Sequence, residues 1–237
     1  MGERELIGKI NEEFEFRPDK VEDRARLYAL SKIAQETIVR FYDEMSDKLF
    51  SIIRLGTVLG KGMPKKTVAN IFITEGLNNK PLTPYRHSMY RPMLYVDIND
   101  VCKVYEKFAV KILNGELEKN ENSLSHIVNV YYPEPITILE LAELIRDVII
   151  KLTNGKISLS IEIVDKGKPM LFTKEDKKKM KVDISKLTNL LGLKKLINPT
   201  ESIERIIKRK IEFNIKTFQY FLSLPSKIMF SDICCSL

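Results

Sequence analysis

Short apolar segments that predict β-strands alternate with longer amphipathic segments that predict helices along most of this sequence. Strands are expected at 49–55, 93–96, 127–130 and 158–164, and helices at 23–47, 64–77, 97–113, 137–152, 183–191 and 200–222. Thr137 and Glu140 form the capping-box pattern that begins a helix. Because strands that alternate with helices are joined by crossovers, the sequence predicts an α/β fold with a mainly parallel sheet.

The composition allows a substantial core and gives little indication of a nucleic-acid partner. Hydrophobic residues make up 44% of the 237 residues and charged residues 30%, which is enough for one large domain or two small ones. The net charge is +7, but Lys and Arg are interleaved with Asp and Glu. The dense basic run at 174–181 is interpreted as a solvated loop or helix face, so no nucleic-acid surface is predicted.

The cysteine and histidine patterns predict neither a disulfide-stabilised protein nor a metalloprotein. The three cysteines suggest no disulfide framework, and Cys102 is expected as a buried thiol in an amphipathic helix. His87 and His126 are far apart and have no nearby carboxylate or Cys companions, so no metal site is predicted. No signal peptide opens the sequence and no apolar run reaches the length of a membrane span. A cytoplasmic protein is expected.

Tyr28 and Lys32 are the residues whose spacing carries the clearest chemistry. Side chains four residues apart share one face of a helix, with about 5–6 Å between their Cβ atoms. An ammonium group beside a phenol favours the phenolate, so the pair can transfer a proton near neutral pH. The same spacing also occurs in ordinary pairs on helix surfaces, and only flanking segments can separate the two interpretations.

Those flanking segments occur in a recognisable order. They are Tyr-Ala-Leu-Ser-Lys at 28–32, Arg-Leu-Gly-Thr-Val-Leu-Gly-Lys-Gly-Met at 54–63, Tyr-Arg-Pro-Met-Leu-Tyr-Val-Asp at 90–97, Asn-Val at 129–130 with Ile-Thr-Ile-Leu-Glu-Leu-Ala at 136–142, and Asp-Ile-Ser-Lys-Leu at 183–187 with Leu-Gly at 191–192. In this order they resemble the later two-thirds of an extended short-chain dehydrogenase/reductase of the NAD-dependent epimerase/dehydratase family, which acts on nucleotide sugars. The resemblance covers roughly residues 25–207.

The resemblance implies a role for each matched residue. Tyr28 would be the catalytic base that takes a proton from a sugar hydroxyl. Lys32 would lower the pKa of Tyr28 and bind the nicotinamide ribose of NAD(P), and Gly56 and Thr57 would also lie in the cofactor site. Arg91 would grip the nucleotide diphosphate, and Asn70, in the motif's polar position, would reach the same group. A surface salt bridge for Arg91 and a tight turn at Gly56 remain alternative interpretations, and Asn70 is equally open.

Two elements of the family pattern are absent from the sequence. Family members open with a strand and a Gly-x-x-Gly-x-x-Gly turn that receives the cofactor pyrophosphate, and a catalytic Ser or Thr follows on a later strand. Neither is found here. We therefore do not expect this chain alone to bind NAD(P). The alternative is a non-catalytic remnant or split subunit that binds nucleotide sugar or pairs with a separate cofactor-binding chain.

The domain organisation follows from the same resemblance. Residues 1–60 are expected to be a remnant of the Rossmann-like domain, with the Tyr-x-x-x-Lys helix and the strand after it. Residues 61–222 are expected to form a mixed substrate-binding α/β lobe, with a return strand to the sheet near 127–131. Residues 223–237 are expected as a loosely attached tail. An uncovered sheet edge and exposed apolar helix faces predict a homodimer, a partner chain or self-association.

Overall fold

The computed structural model describes residues 8–118 and 124–223, and the predicted tail lies almost wholly outside this part. Its helices are α1 (Asp23–Met45), α2 (Val68–Leu77), α3 (Ile98–Leu113), α4 (Ile138–Leu152), α5 (Lys174–Lys179), α6 (Ser185–Leu191) and α7 (Pro199–Ser223). Its strands are β1 (Gly8–Ile10), β2 (Ile52–Leu55), β3 (Thr57–Leu59), β4 (Pro92–Met93), β5 (Tyr95–Asp97), β6 (Ile127–Val130), β7 (Ile136–Thr137) and β8 (Met180–Val182).

Parallel pairing dominates, as the alternation of strands and helices predicts. β2 pairs with β6 in register from Ile52–Ile127 to Leu55–Val130, β3 pairs with β5, and β1 pairs with β8, all in parallel. The short β4–β7 pair is antiparallel. The expected return strand at 127–130 is confirmed, and it lies beside the strand that follows α1.

The strand partner changes at Gly56, between β2 and β3. The Gly56 N–H donates to the carbonyl of Val130 at 3.0 Å, whereas the next N–H, that of Thr57, donates to the carbonyl of Leu94 at 2.8 Å. A Cβ atom on Gly56 would lie 2.7 Å from the Leu94 carbonyl oxygen and 2.9 Å from the Tyr131 Cβ. The crossing therefore requires glycine, because any side chain would push the two strand pairs apart.

Two apolar clusters form the core. The larger joins α2, α4 and α7 to β3 and β5, with Ile73, Tyr95, Leu141, Ile145 and Ile203 fully buried. The smaller joins α3 and α6 to β6. α2 and α4 approach closely at Gly76, where an added Cβ would lie 2.6 Å from the Ile149 Cδ1. None of the helices described is long and apolar enough to cross a membrane.

The strongest helix-start prediction is confirmed. The Thr137 hydroxyl accepts from the Glu140 N–H at 3.2 Å, and the Glu140 carboxylate accepts from the Thr137 N–H at 2.8 Å. This reciprocal bonding satisfies two amide groups that the first turn of a helix leaves free. α4 therefore begins where the sequence places it.

Other sequence predictions were wrong. The segment 158–164 makes only two single parallel bridges, Leu82 with Ile161 and Tyr85 with Val164, so it forms no continuous strand. Four short strands were not predicted: β1, β3, β7, and β8 directly after the basic helix α5. Cys102 is exposed rather than buried, since it lies on the outer side of α3.

Asp97 joins β5, α3 and α7. It is the N-cap residue of α3, and its carboxylate accepts from the Asn99 N–H at 2.8 Å. The same fully buried carboxylate accepts from the Ser202 hydroxyl at 2.6 Å and pairs with the Arg205 guanidinium. One buried charge thus fixes the last helix against the strand that follows Arg91.

We predict that Asp97→Ala lowers the free energy of unfolding by about 3 kcal/mol, because it leaves Arg205 without its counter-charge and α3 without its cap. Chemical denaturation followed by circular dichroism measures the change. The control is Asp147→Ala, since Asp147 is exposed and pairs with its neighbour Arg146 at the surface. That control should stay within about 0.5 kcal/mol of the parent protein. Equal effects of the two substitutions would contradict the role of Asp97.

Candidate functional site

Tyr28 and Lys32 lie together on α1, as their spacing predicts. The Lys32 Nζ is 5.7 Å from the centroid of the Tyr28 ring and donates to the Gln35 side-chain oxygen at 3.1 Å. Tyr28 is 66% exposed. Within the part of the chain that the structure describes, the phenol therefore has a neighbouring cation but no enclosing pocket. Catalysis by this pair stays a prediction.

The exposed side of α1 is strongly apolar. Large hydrophobic side chains are uncovered along its length: Leu27, Tyr28, Leu30, Ile38, Phe41, Tyr42 and Met45. Among the α1 side chains that the structure describes, the fully buried ones are instead charged, namely Glu36 and Asp43. Soluble helices normally show the opposite arrangement. An apolar strip of this size is typical of a surface that another element covers.

Glu36 and Arg54 form a buried ion pair that the sequence analysis missed. The Arg54 Nε and Nη2 donate to the two carboxylate oxygens of Glu36 at 2.9 and 2.6 Å. The Arg54 Nη1 donates to the Glu12 carbonyl at 2.7 Å, and the guanidinium lies 4.9 Å from the centroid of the Phe16 ring. The sequence signal for this pair was a charged residue, Arg54, inside the otherwise apolar strand β2, together with Glu36 four residues after Lys32.

Gly56 and Thr57 lie at the carboxyl end of β2, the position where open α/β sheets place ligands. Their backbone contacts explain both residues without a ligand, because Gly56 permits the close crossing and Thr57 begins β3. Cofactor binding by these two residues stays a prediction.

Asn70 is buried on α2, and its amide is fully engaged within the protein. Its Nδ2 lies within hydrogen-bond distance of the carbonyls of Met63 and Pro64, at 3.2 and 3.3 Å. Its Oδ1 accepts from the Lys210 ammonium at 2.7 Å and from the Thr74 hydroxyl at 3.4 Å. Asn70 therefore clamps the loop before α2 to α7, and its predicted contact with substrate would require this network to open.

Arg91 is a buried residue and not the surface ion pair of the alternative interpretation. Its guanidinium pairs with the Glu22 carboxylate, and both side chains are about nine-tenths buried. The guanidinium also lies 5.3 Å from the centroid of the Phe172 ring. Burial lowers the pKa of Arg91, so the site holds its positive charge at a cost in solvation.

One donor of Arg91 and the hydroxyl of Tyr95 lack hydrogen-bond acceptors among the described residues. The Arg91 Nε and the Tyr95 hydroxyl are buried and have no hydrogen-bond partner among the described residues. Burial raises the pKa of Tyr95, and the positive charge of Arg91 acts in the opposite direction. Buried donors are rarely left unpaired in proteins, so this arrangement points to a missing acceptor.

The two histidines are both buried. His87 stacks on Tyr85 with ring centroids 5.7 Å apart, and burial lowers the pKa of His126. In residues 8–118 and 124–223, no group of three His, Cys, Asp or Glu side chains is placed to hold a metal ion.

The described residues fit a dinucleotide only in part. A pyrophosphate cradle needs a glycine-rich turn between a strand and a helix. The β3–α2 loop contains Gly60 and Gly62, but a Cβ on Gly60 would lie 2.4 Å from the Ile98 Cγ2, so Gly60 packs against α3. β5 runs directly into α3, and β7 runs directly into α4. Within the described residues, a glycine-rich turn for the pyrophosphate of the cofactor is therefore lacking, although Tyr28 and Lys32 remain open to solvent.

Three solved structures with similar folds are nucleotide-sugar enzymes. UDP-glucose 4-epimerase of Thermus thermophilus, in complex with NAD, is 19% identical, with a TM-score of 0.59 over 87% of this chain and 60% of its own. dTDP-glucose 4,6-dehydratase of Bacillus anthracis, also with NAD, is 15% identical, with a TM-score of 0.61 over 87% and 57%. UDP-glucuronic acid 4-epimerase of Bacillus cereus, with UDP-glucuronic acid and NAD, is 17% identical, with a TM-score of 0.55 over 86% and 59%.

The likeness establishes the fold. This chain has the mixed α/β, Rossmann-like architecture that the sequence predicts, and it spans about 60% of the length of these enzymes. No protein-family model and no curated protein matches the sequence.

A double-mutant cycle measures how strongly the buried pair holds α1 to β2. We predict a coupling energy of about 2 kcal/mol between Arg54→Met and Glu36→Gln, because both side chains are desolvated and doubly bonded. The exposed pair Lys151–Glu204, 2.9 Å apart between α4 and α7, is the control. Its coupling should be about 0.5 kcal/mol or less. A coupling no larger than that of the control would show that Arg54 does not anchor α1.

Proposed function

We propose that this chain carries the nucleotide-sugar-binding lobe and the Tyr–Lys pair of an NAD-dependent epimerase/dehydratase fold. Five sequence segments resemble that family, and the fold matches solved enzymes of that kind over most of this chain. The substrate class is a nucleoside-diphosphate sugar.

The observation that carries the proposal is the environment of Arg91. A guanidinium fork recognises phosphate through two parallel hydrogen bonds, and a buried site strengthens those bonds. Arg91 is held against Phe172, and its Nε and the hydroxyl of Tyr95, four residues further along, are buried donors without a partner among the described residues. A nucleotide diphosphate supplies the acceptor oxygens that these groups lack.

Tyr28 is the proposed proton acceptor for a sugar hydroxyl, and Lys32 is the cation beside it. NAD(P), when bound, supplies the hydride acceptor of this family's chemistry. Because the described residues include no glycine-rich turn for the pyrophosphate of the cofactor, oxidation of the sugar requires a cofactor-binding sheet in addition to them. Such a sheet would also enclose Tyr28, which is exposed here.

The apolar face of α1 favours the second candidate function, a subunit that pairs with another chain. In this form the chain binds nucleotide sugar and its partner supplies the cofactor-binding half, or two copies associate through α1. The uncovered side chains from Leu27 to Met45 support such an assembly.

Binding of UDP-glucose is the direct test of the proposed substrate class. We expect saturable binding by calorimetry, and we expect Arg91→Lys to weaken it by about tenfold, because Lys cannot form the bidentate contact. The control is Arg86→Lys, since Arg86 lies on the same loop but pairs with Asp165 at the surface. Absence of binding at millimolar UDP-glucose, or equal losses in both variants, would refute the proposal.

The α1 surface makes a separate prediction about assembly. We expect concentration-dependent self-association of the chain in sedimentation velocity experiments. Phe41→Glu combined with Met45→Lys should shift the protein toward monomer without lowering its melting temperature, because both side chains are exposed. Leu113→Glu, at the exposed end of α3, should leave association unchanged. A parent protein that stays monomeric across the concentration range would contradict this prediction.

A further inference from the structure

Glu22 occupies the N-cap position of α1 but does not cap the helix. Its side chain makes no capping hydrogen bond, and the carboxylate is directed to Arg91 instead. Asp, Asn, Ser or Thr at this position normally bonds the free amide groups of the first turn. α1 therefore begins without a side-chain cap while an anionic group is held at Arg91.

The carboxylate fills only part of the acceptor space around Arg91. A carboxylate has two oxygens, and the Arg91 Nε and the Tyr95 hydroxyl remain without a partner among the described residues. A phosphate group presents more oxygens in a tetrahedral arrangement and can reach donors on several sides. The site is therefore better matched to a phosphate than to the group that occupies it.

We propose that Glu22 is a built-in competitor for the anion site, and that its carboxylate must leave Arg91 before a nucleotide diphosphate binds there. The inference rests on the proposed function, because it assigns the ligand phosphate to Arg91. It adds that the free protein holds the site closed through the residue that begins α1.

A displaced Glu22 has a second cation within reach. Arg26 lies one helical turn further along α1, at the four-residue spacing that brings side chains together. The Arg26 Nε is buried without a partner among the described residues, while its Nη2 pairs with Asp23 at 2.7 Å. Glu22 can therefore exchange one guanidinium for another, which gives the start of α1 two arrangements.

The exchange connects ligand binding to the candidate catalytic residue. Glu22 precedes the helix that carries Tyr28. Movement of Glu22 from Arg91 to Arg26 would release the beginning of α1 from the Arg91 loop at the moment the diphosphate arrives. Occupation of the anion site and the position of Tyr28 would then depend on each other.

The test compares Glu22→Gln with the parent protein by calorimetric titration with UDP. Gln keeps the size of the side chain and removes its charge, so the apparent Kd should fall by about tenfold or more. Glu15→Gln is the control, because it changes the net charge equally at an exposed position. Glu22→Asp, which is charged but shorter, should also tighten binding and covers the case in which Glu22→Gln fails to fold.

The outcomes separate this inference from the proposed function. The competitor role of Glu22 is supported if Glu22→Gln binds UDP more tightly and Glu15→Gln binds it as the parent does. The gain should also be lost in the Glu22→Gln/Arg91→Lys double variant. Equal affinity of Glu22→Gln and the parent, with binding still dependent on Arg91, overturns the competitor and leaves the proposed function standing. An equal gain in Glu15→Gln overturns it as well. If no variant binds UDP or UDP-glucose at millimolar concentration, both proposals fail.

Discussion

The arrangement of this protein around its candidate active site depends on Arg54. Its guanidinium bonds both oxygens of Glu36 on α1 and the Glu12 carbonyl ahead of α1. The Glu12 carboxylate in turn accepts from the Asn129 N–H of β6 at 2.7 Å. One residue of β2 therefore holds the helix, the segment before it and the neighbouring strand. Few other side chains of α1 are fully buried among those described, and most of its large apolar side chains are exposed.

The outward apolar face changes how the Tyr–Lys pair should be understood. Electrostatic effects between a phenol and an ammonium are weak in water and become large where water is excluded. Tyr28 and Lys32 have the required proximity but not the enclosed surroundings. The same missing cover leaves Leu27, Leu30 and Ile38 exposed. A single covering element would bury the apolar strip and desolvate the pair, so stability and the proposed role of Tyr28 would both depend on that contact.

The sequence predicts this fold best where structure is determined locally. The capping box of α4 and the apolar spacing of α3 are properties of neighbouring residues, and both helices lie as expected. β1 and β8 were missed because each has three residues and forms only through pairing across more than 160 positions. The segment 158–164 alternates like a strand, yet its partner segment offers only isolated bridges. The exposure of Cys102 and the burial of Arg91 and Glu36 likewise depend on elements distant in sequence, which periodicity cannot specify.

Two buried Arg–Glu pairs lie in the described part of the chain, and they differ in how completely their polar groups are bonded. The guanidinium of Arg54 has partners for Nε, Nη1 and Nη2, so its desolvation is offset by a complete set of bonds. Arg91 is equally desolvated but leaves its Nε unpaired among the described residues, next to an unpaired tyrosine hydroxyl. A buried pair stabilises a fold only when nearly every polar group in it is satisfied. The Arg54 pair meets that condition and acts as an anchor. The Arg91 pair does not, and unused buried donors are a reason for a protein to bind an anion that completes them.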